Sequence, residues 1–293
     1  MSANAKAEPN RERLAVIDNI ERAIDEGDYK RKVEIGDPCY TKEDVERKIV
    51  PFDCLKRNPI NKLKAEIARK IAEKETLKIN QNTKFVGIEN ALSVRDGAII
   101  TANHFNPVDN TVIRLLTMRM RREKDLYILV QEGNMFMKGP LGFLMRNCYT
   151  LPVSQNHTYT AKNLKPAVTR LIEKGNLLLV YPESEMWFNY KKPRPLAIGA
   201  YHYAALLGVP VIPTFIGMEE VSGYDESGFK NIRHTLMVMP PIYPDTSLPE
   251  RERAAKMQSE DMRAKTEAYE NFYKTTLSQE FDRSRDIAGY PDC

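Results

Sequence analysis

The sequence predicts an α/β fold, with a mixed, largely parallel sheet flanked by helices, a helical N-terminal segment and a long C-terminal helix. In residues 1–83, apolar residues such as Leu63, Ile67 and Ile71 recur at helical intervals. From residue 84 onward, short apolar runs rich in β-branched residues alternate with helical windows, which is typical of strands joined by crossover helices. We therefore expect a helical N-terminal segment over residues 1–83 and an α/β domain over residues 84–293.

Helical spacing and capping residues predict the elements of the N-terminal segment. Leu14, Ile17 and Ile20 recur at helical spacing inside a charged background, which predicts a first helix. Thr41, followed three residues later by Asp44, resembles the capping box that begins a helix. The apolar faces of these helices can complete the core, shield a sheet edge or bind a partner.

The elements of the α/β domain follow in order along the chain. Apolar runs predict strands over residues 98–102, 126–131, 149–153, 177–181, 211–216 and 236–239. Helical windows predict helices over residues 110–121, 159–174, 199–207 and 250 to about 281. Because helices separate most of the strands, most of the sheet should be parallel.

Composition excludes several classes of protein. The 293 residues carry 44 Lys and Arg against 40 Asp and Glu, and this net charge of +4 does not favour a nucleic-acid-binding protein. The four cysteines are widely spaced and no Cys/His cluster has zinc spacing, so we expect neither a disulfide framework nor a metal site. Residues 1–13 are polar, without the apolar core of a secretory signal. A cytoplasmic protein is therefore expected.

One uncharged segment is long enough to span a membrane. Residues 195–218 contain no charged side chain. Gly208 and Pro210 interrupt this segment, and a helix that ends at Gly208, followed by a buried strand, explains the pattern better. We therefore expect no transmembrane helix here.

A histidine and a carboxylate follow the first predicted strand of the domain. His104 and Asp109 lie on the strand-to-helix turn, where Pro107 tightens the loop. Asp109 can then bond one nitrogen of the His104 ring and leave the other free as a proton acceptor. This arrangement corresponds to a catalytic triad without its serine, so the hydroxyl of the substrate would act as the nucleophile. The alternative is that Asp109 only caps the next helix and His104 is an ordinary loop residue.

A second group of polar residues follows the strand predicted over residues 177–181. Pro182 and Glu183 come at its carboxyl end, where α/β sheets place ligands, so Glu183 can hold a polyol hydroxyl or face the same crevice as His104. A basic group lies farther along the chain, at Lys191, Lys192 and Arg194. This group can hold a phosphate. The alternative for these acids and cations is ordinary solvated surface.

Several segments together resemble one family, the glycerolipid acyltransferases of the lysophosphatidic acid acyltransferase type, which share the motif N-H-x-x-x-x-D. The resemblance covers about residues 85–242. Residues 103–109 fit the motif fully, and Tyr-Pro-Glu at 181–183 matches the start of the third block, F-P-E-G-T-R-S. The other matching segments are V-G-I-E-N at 86–90, Gly-Ala at 199–200 and V-P-V-I-P at 209–213.

The resemblance implies transfer of an acyl group from acyl-CoA or an acyl carrier protein to the hydroxyl of a lyso-lipid, without a metal or a resident cofactor. His104 would be the general base and Asp109 would orient it. Asn103, Pro182 and Glu183 occupy motif positions and are expected in the substrate site. No role with nucleic acid is implied.

This chain departs from the family pattern at two positions that usually hold arginine. Residues 184–186 are Ser-Glu-Met where the family has Gly-Thr-Arg, and Gln155 stands where the second block commonly ends in arginine. Either other cations bind an acceptor phosphate, or the acceptor is not a simple phosphomonoester. The other candidate cations are Lys138, Arg146, Lys191, Lys192 and Arg194.

Two segments are candidates for contact with a membrane. Residues 135–146 are rich in Met and Phe and include Lys138, and residues 119–124 are strongly basic. The alternatives are a core position for the first segment and plain surface for the second. We expect a cytoplasmic enzyme peripherally associated with the inner face of the cell membrane. The remaining alternatives are an acyltransferase with a non-phosphate hydroxyl or amine acceptor, and a non-catalytic lipid-binding protein.

Overall fold

A computed structural model of the chain describes residues 9–36, 38–56 and 58–291. The polar residues 1–8 and Cys293 lie outside the described residues. The described sheet has seven strands in the order β1-β7-β6-β2-β5-β3-β4. Neighbours are parallel except β6 and β7, which are antiparallel. The predicted α/β class, with a mixed and largely parallel sheet, is confirmed.

The elements have the following bounds along the chain. The strands are β1 Lys84–Val86, β2 Ala98–Thr101, β3 Leu126–Gln131, β4 Thr150–Val153, β5 Leu177–Val180, β6 Val211–Tyr224 and β7 Lys230–Val238. The helices are α1 Arg11–Asp25, α2 Lys42–Lys48, α3 Pro59–Ile79, α4 Ile88–Leu92, α5 Asn110–Arg119, α6 Gly139–Asn147, α7 His157–Tyr159, α8 Lys165–Glu173, α9 Gly199–Leu207, α10 Glu250–Tyr273 and α11 Arg283–Asp286. A 3₁₀ turn, Glu132–Phe136, precedes α6, and a π-helical turn, Thr160–Leu164, joins α7 to α8.

Boundaries differ from expectation mainly where long-range pairing extends a strand. β6 and β7 form a long hairpin, so β7 begins at Lys230 rather than near residue 236. The short edge strand β1 was not predicted, since its three residues carry no period of their own. The last long helix ends at Tyr273 rather than near residue 281, because Lys274 adopts a left-handed conformation with φ 55°. The capping box at Thr41 is present.

The central strands bury both of their faces. Side chains alternate along a strand, so Ile99 and Leu178 join one apolar cluster while Ile100 and Leu179 join another on the opposite face. These four residues are fully buried. This explains the continuous apolar runs in the sequence, because a parallel sheet covered by helices has no solvated face.

The N-terminal helices use their apolar residues in opposite ways. In α1, Ile17 and Ile20 are fully buried in a cluster that contains Trp187, so α1 completes a core as one of the alternatives predicted. In α3, Leu63 and Ile67 are exposed instead. Of the alternatives for these helices, completion of the core therefore does not hold for Leu63 and Ile67, because α3 packs on α5 and α6 through its opposite side.

Candidate functional site

The site lies where β2 and β5 end, at the same edge of the sheet. Both strands are parallel neighbours, with Thr101 opposite Val180, so the loops that follow them meet. His104 lies on the loop after β2, and Tyr181 and Glu183 follow β5. Open α/β sheets bind ligands at this edge.

His104 and Asp109 form a hydrogen-bonded pair. The distance from His104 Nδ1 to Asp109 Oδ2 is 2.7 Å. Asp109 is buried, whereas 23% of the His104 side chain is exposed. The Asp109 side chain makes no capping bond to α5, which excludes the alternative in which it only caps that helix. Because a carboxylate only accepts, Nδ1 of His104 carries the proton and Nε2 is left as the basic nitrogen.

Asp109 is held from several directions. Its Oδ2 accepts the backbone N–H of Phe105 at 3.1 Å and that of Asn106 at 3.4 Å. Its Oδ1 accepts the hydroxyl of Tyr181 at 2.7 Å. The Tyr181 ring also stacks on the His104 ring, with centroids 4.2 Å apart. Burial and the Asp109 carboxylate raise the pKa of Tyr181 well above its ordinary value, so its hydroxyl stays protonated and donates.

A buried ion pair encloses the peptide of His104. Glu183 Oε2 accepts the His104 N–H at 3.2 Å, and Arg194 Nη2 donates to the His104 carbonyl at 3.3 Å. The two side chains bond to each other at 2.9 Å, with exposures of 2% and 1%. The placement therefore does not support Glu183 and Arg194 as substrate contacts. They position the backbone that carries the general base candidate, since neither has a group left to offer to a ligand in solvent.

Asn103 has a comparable positioning role. Its side-chain oxygen accepts the backbone N–H of Ile216 at 2.8 Å, and its amide donates to the Ile216 carbonyl at 3.1 Å. The residue is buried, so its amide clamps the end of β2 to β6 and is not presented to a substrate. This buried placement does not support the predicted substrate contact for Asn103. Pro182 is likewise buried, and its carbonyl accepts the backbone N–H of Ala197.

The predicted basic group is divided between internal partners. Lys192 is buried and forms an ion pair with Asp286 at 2.8 Å. Lys191 donates to the Arg285 carbonyl at 2.8 Å. These bonds join Lys191 and Lys192 to the C-terminal residues Arg285 and Asp286. The placement therefore does not support the predicted phosphate contact for either lysine. Lys138 is exposed immediately before α6.

The two segments proposed for membrane contact are partly buried and partly exposed. In residues 135–146, Met135 is buried and the Phe136 ring stacks on Tyr40, with centroids 4.9 Å apart. In residues 119–124, Arg122 bonds Asp125 and three backbone carbonyls. None of the helices among the described residues is both long and apolar enough to cross a membrane. Within the same residues, no group of three or more His, Cys, Asp or Glu is arranged for a metal ion.

Sequence reasoning missed two residues at this edge. Tyr181 entered the prediction only as the first residue of the Tyr-Pro-Glu segment. The available signal was a residue with a hydroxyl group directly before Pro182 and Glu183. Gln131, at the end of β3, donates to Glu185 Oε1 at 2.8 Å and to the Ser184 carbonyl at 3.2 Å. No local pattern marks Gln131, because its role depends on β3 lying beside β5.

Comparisons with known proteins concern the same part of the chain and its fold. Residues 82–217 match the family model described as Acyltransferase, and this range includes His104, Asp109, Tyr181, Glu183 and Arg194. Among solved structures, the fold is similar to that of the 1-acyl-sn-glycerophosphate (LPA) acyltransferase PlsC from Thermotoga maritima. The identity is 17%, the match covers 91% of this chain and 96% of that chain, and the TM-score is 0.50. No curated protein matches significantly.

The resemblance inferred from the sequence and the family match concern the same residues. The N-H-x-x-x-x-D segment lies within residues 82–217, and its His104 and Asp109 side chains bond to each other at the ligand-binding edge of the sheet. Residues 82–217, which carry the N-H-x-x-x-x-D motif, therefore match the Acyltransferase family model.

Proposed function

We propose that the protein transfers a fatty acyl group from a thioester donor, acyl-CoA or acyl carrier protein, to the hydroxyl of a lysophospholipid or related glycerolipid. The observation that carries the proposal is the 2.7 Å bond between His104 and Asp109, with the imidazole partly exposed and the carboxylate buried. This arrangement suits a base that must meet a substrate while its orientation is held from inside the protein.

The chemistry proceeds in two steps. Nε2 of His104 takes the proton of the acceptor hydroxyl as its oxygen attacks the thioester carbonyl, and Asp109 stabilises the resulting imidazolium. The tetrahedral intermediate then breaks its carbon–sulfur bond, and the thiolate leaves with the proton returned by His104. Acyl transfer is complete with an ester formed, a thiol released and the base regenerated.

The test is turnover of purified protein with acyl-CoA or acyl carrier protein and a panel of lyso-lipids. His104→Ala is expected to lower kcat by about 10²–10⁴-fold, the usual contribution of general base catalysis. His157→Ala is the matched control, because His157 is an exposed histidine at the start of α7. Equal turnover by wild type and His104→Ala, with His157→Ala unchanged, would reject the proposed chemistry.

A second acceptor class has a specific observation in its favour. Lys192 and Arg194 are committed to buried acidic partners, and Met186 stands where the family usually has arginine. A phosphate-bearing acceptor therefore has fewer cations to bind than the family pattern provides. The same panel should include an acceptor with a non-phosphate hydroxyl and one with an amine. Preference for these over lysophosphatidic acid would favour the second class.

A further inference from the structure

The ligand-binding edge of the sheet continues from His104 to the end of β3. Strands β2, β5 and β3 are parallel neighbours in that order, so the loops that follow them lie side by side. Gln131 ends β3, and its side-chain amide donates to Glu185 Oε1 at 2.8 Å and to the Ser184 carbonyl at 3.2 Å. The Glu185 carboxylate is therefore held at the same edge of the sheet as His104.

The backbone of Glu185 lies beside that of His104. Arg194 Nη2 donates to the carbonyls of both residues, so the two carbonyl oxygens share one donor atom. The backbone N–H of Trp187 also donates to the His104 carbonyl, at 3.1 Å. Met186 lies between these two contacts, so the groups that flank a substrate hydroxyl at His104 would come close to Glu185 and Met186.

A tight turn presents the Glu185 side chain. Ser184 adopts a left-handed backbone conformation with φ 72°, at the position where the family pattern usually has glycine. Its N–H donates to the Tyr181 carbonyl at 3.0 Å, and its own carbonyl accepts the bond from Gln131. A residue with a side chain is held in this region only where its surroundings fix it. The turn and the Gln131 amide therefore place the Glu185 carboxylate before any ligand binds.

The Glu185 carboxylate forms no ion pair among the described residues. Its one side-chain hydrogen bond there comes from the neutral amide of Gln131, and Glu185 is half-buried. The candidate cations are engaged elsewhere, because Arg194 and Lys192 each pair with a buried carboxylate and Arg146 donates to backbone carbonyls. A half-buried carboxylate without a countercharge attracts a cation and repels a phosphate.

We propose that this site selects an acceptor whose head group is cationic and carries no phosphate, with Glu185 as the residue that recognises the positive charge. The proposal rests on the proposed function and narrows its acceptor. Two features of the loop act in the same direction, because Glu185 supplies a carboxylate while Met186 replaces the arginine of the family pattern. Gln131 holds the carboxylate in place.

The test uses three acceptors that share one glycerol and one octanoyl chain. They differ only at the third carbon, which carries phosphate, methoxy or trimethylammonium. Each leaves the second hydroxyl free, and the quaternary nitrogen has no proton to lose, so the same ester forms in all three. Steady-state kcat/KM is measured with dissolved acceptor and with acyl-CoA or acyl carrier protein as donor. Wild type should prefer the trimethylammonium acceptor over the phosphate acceptor by about tenfold or more.

Variants isolate the charge from the shape of the loop. Glu185→Gln keeps the bond from Gln131, because an amide oxygen also accepts, and removes the charge. It should lower the ratio of kcat/KM for the trimethylammonium acceptor to that for the phosphate acceptor about tenfold. Met186→Arg should lower the same ratio at least as much, since it adds a cation. Glu173→Gln is the matched control, because Glu173 is exposed at the end of α8, at the opposite edge of the sheet.

Two results would overturn the proposal. One is preference of wild type for the phosphate acceptor, and loss of that preference in Lys138→Gln would assign the phosphate to the exposed Lys138. The other is an equal effect of Glu185→Gln on all three acceptors, because Glu185 would then only position the loop beside His104.

Calorimetric titration of the acceptors without a donor distinguishes this proposal from the proposed function. Turnover with preference for phosphate would reject the charge selection and leave the chemistry intact. Binding of the trimethylammonium acceptor that Glu185→Gln weakens, without turnover of any acceptor, would reject the chemistry and leave the charge selection intact. Neither binding nor turnover with any acceptor would reject both.

Discussion

Replacing Glu183 by glutamine removes the countercharge of a buried guanidinium. Arg194 bonds Glu183 through Nη2 at 2.9 Å and Nε at 3.2 Å. The other hydrogen-bond acceptors of its guanidinium are the backbone carbonyls of His104, Tyr29 and Glu185. Burial lowers the pKa of Arg194, and the Glu183 carboxylate opposes this effect only in part. Glu183→Gln keeps the size of the side chain, so the loss is electrostatic rather than steric.

The expected cost follows from the burial of both partners. Breaking a buried pair by removing one charge costs about 3–5 kcal/mol. Domains of ordinary stability retain a folded population after such a loss, since their unfolding free energies are about 5–15 kcal/mol. Urea unfolding should therefore give a lower midpoint with an unchanged slope. Turnover should also fall, because Glu183 accepts the N–H of His104.

A double-mutant cycle separates the pair from its surroundings. Glu183→Gln/Arg194→Met leaves no buried charge and should cost about 1–3 kcal/mol less than the sum of the single substitutions. Glu267→Gln is the surface control, because Arg263 and Glu267 are 68% and 56% exposed and such pairs contribute about 0–1 kcal/mol. A cost below about 1 kcal/mol for Glu183→Gln, or additivity of the two substitutions, would refute this reasoning.

Three further predictions concern the site and one buried lysine. Asp109→Asn should lower kcat about 10²–10⁴-fold, because a neutral amide no longer stabilises the imidazolium; steady-state kinetics with unchanged turnover would contradict this. Tyr181→Phe should lower kcat about tenfold with little change in KM, since Asp109 loses a charge-assisted hydrogen bond; an effect on KM alone would argue for substrate contact instead. Burial lowers the pKa of Lys56 from 10.5 to about 8, so the charged lysine destabilises the folded state below pH 8. Between pH 8 and 10.5 only the unfolded state keeps the proton, and the stability of the wild type therefore rises over this range. Lys56→Met should therefore exceed wild type in unfolding free energy at pH 7 by about 1–3 kcal/mol and lose that advantage by pH 10; a pH-independent difference in urea midpoints would contradict this.

Much of the fold could be predicted from local patterns. The strands of the central sheet were located to within one or two residues because both faces are buried, which leaves unbroken apolar runs. The extent of the β6–β7 hairpin could not be predicted, since its outer residues are half-exposed and depend on their partner strand. Helical spacing predicted the α3 helix but not which of its sides is buried. The buried side is marked by alanines, and alanine is too weakly apolar to distinguish a buried face from an exposed one.

The site was predictable to the extent that its residues are close in sequence. His104 and Asp109 lie five positions apart, so one turn brings them together, and their motif marks them. A buried network below the site had no such signal. Lys265 and Asp261 on α10 are fully buried and bond the hydroxyl of Thr101 on β2, with Lys265 Nζ at 2.8 Å and Asp261 Oδ2 at 2.6 Å. An i, i+4 pair on a charged helix resembles ordinary surface until the helix is packed.

The sequence by itself predicted the α/β class, the resemblance to one acyltransferase family and the histidine–aspartate pair, because each depends on patterns within short segments. Only the tertiary structure decided what the isolated charges do. Glu183, Lys192 and Arg194 were expected to meet a substrate, and they are buried in ion pairs, Glu183 with Arg194 and Lys192 with Asp286. The physical reason is that the residue type fixes the charge of a side chain, whereas the elements that pack around the side chain fix how far it is buried. A buried charge is stable only when it is paired with an opposite charge inside the protein.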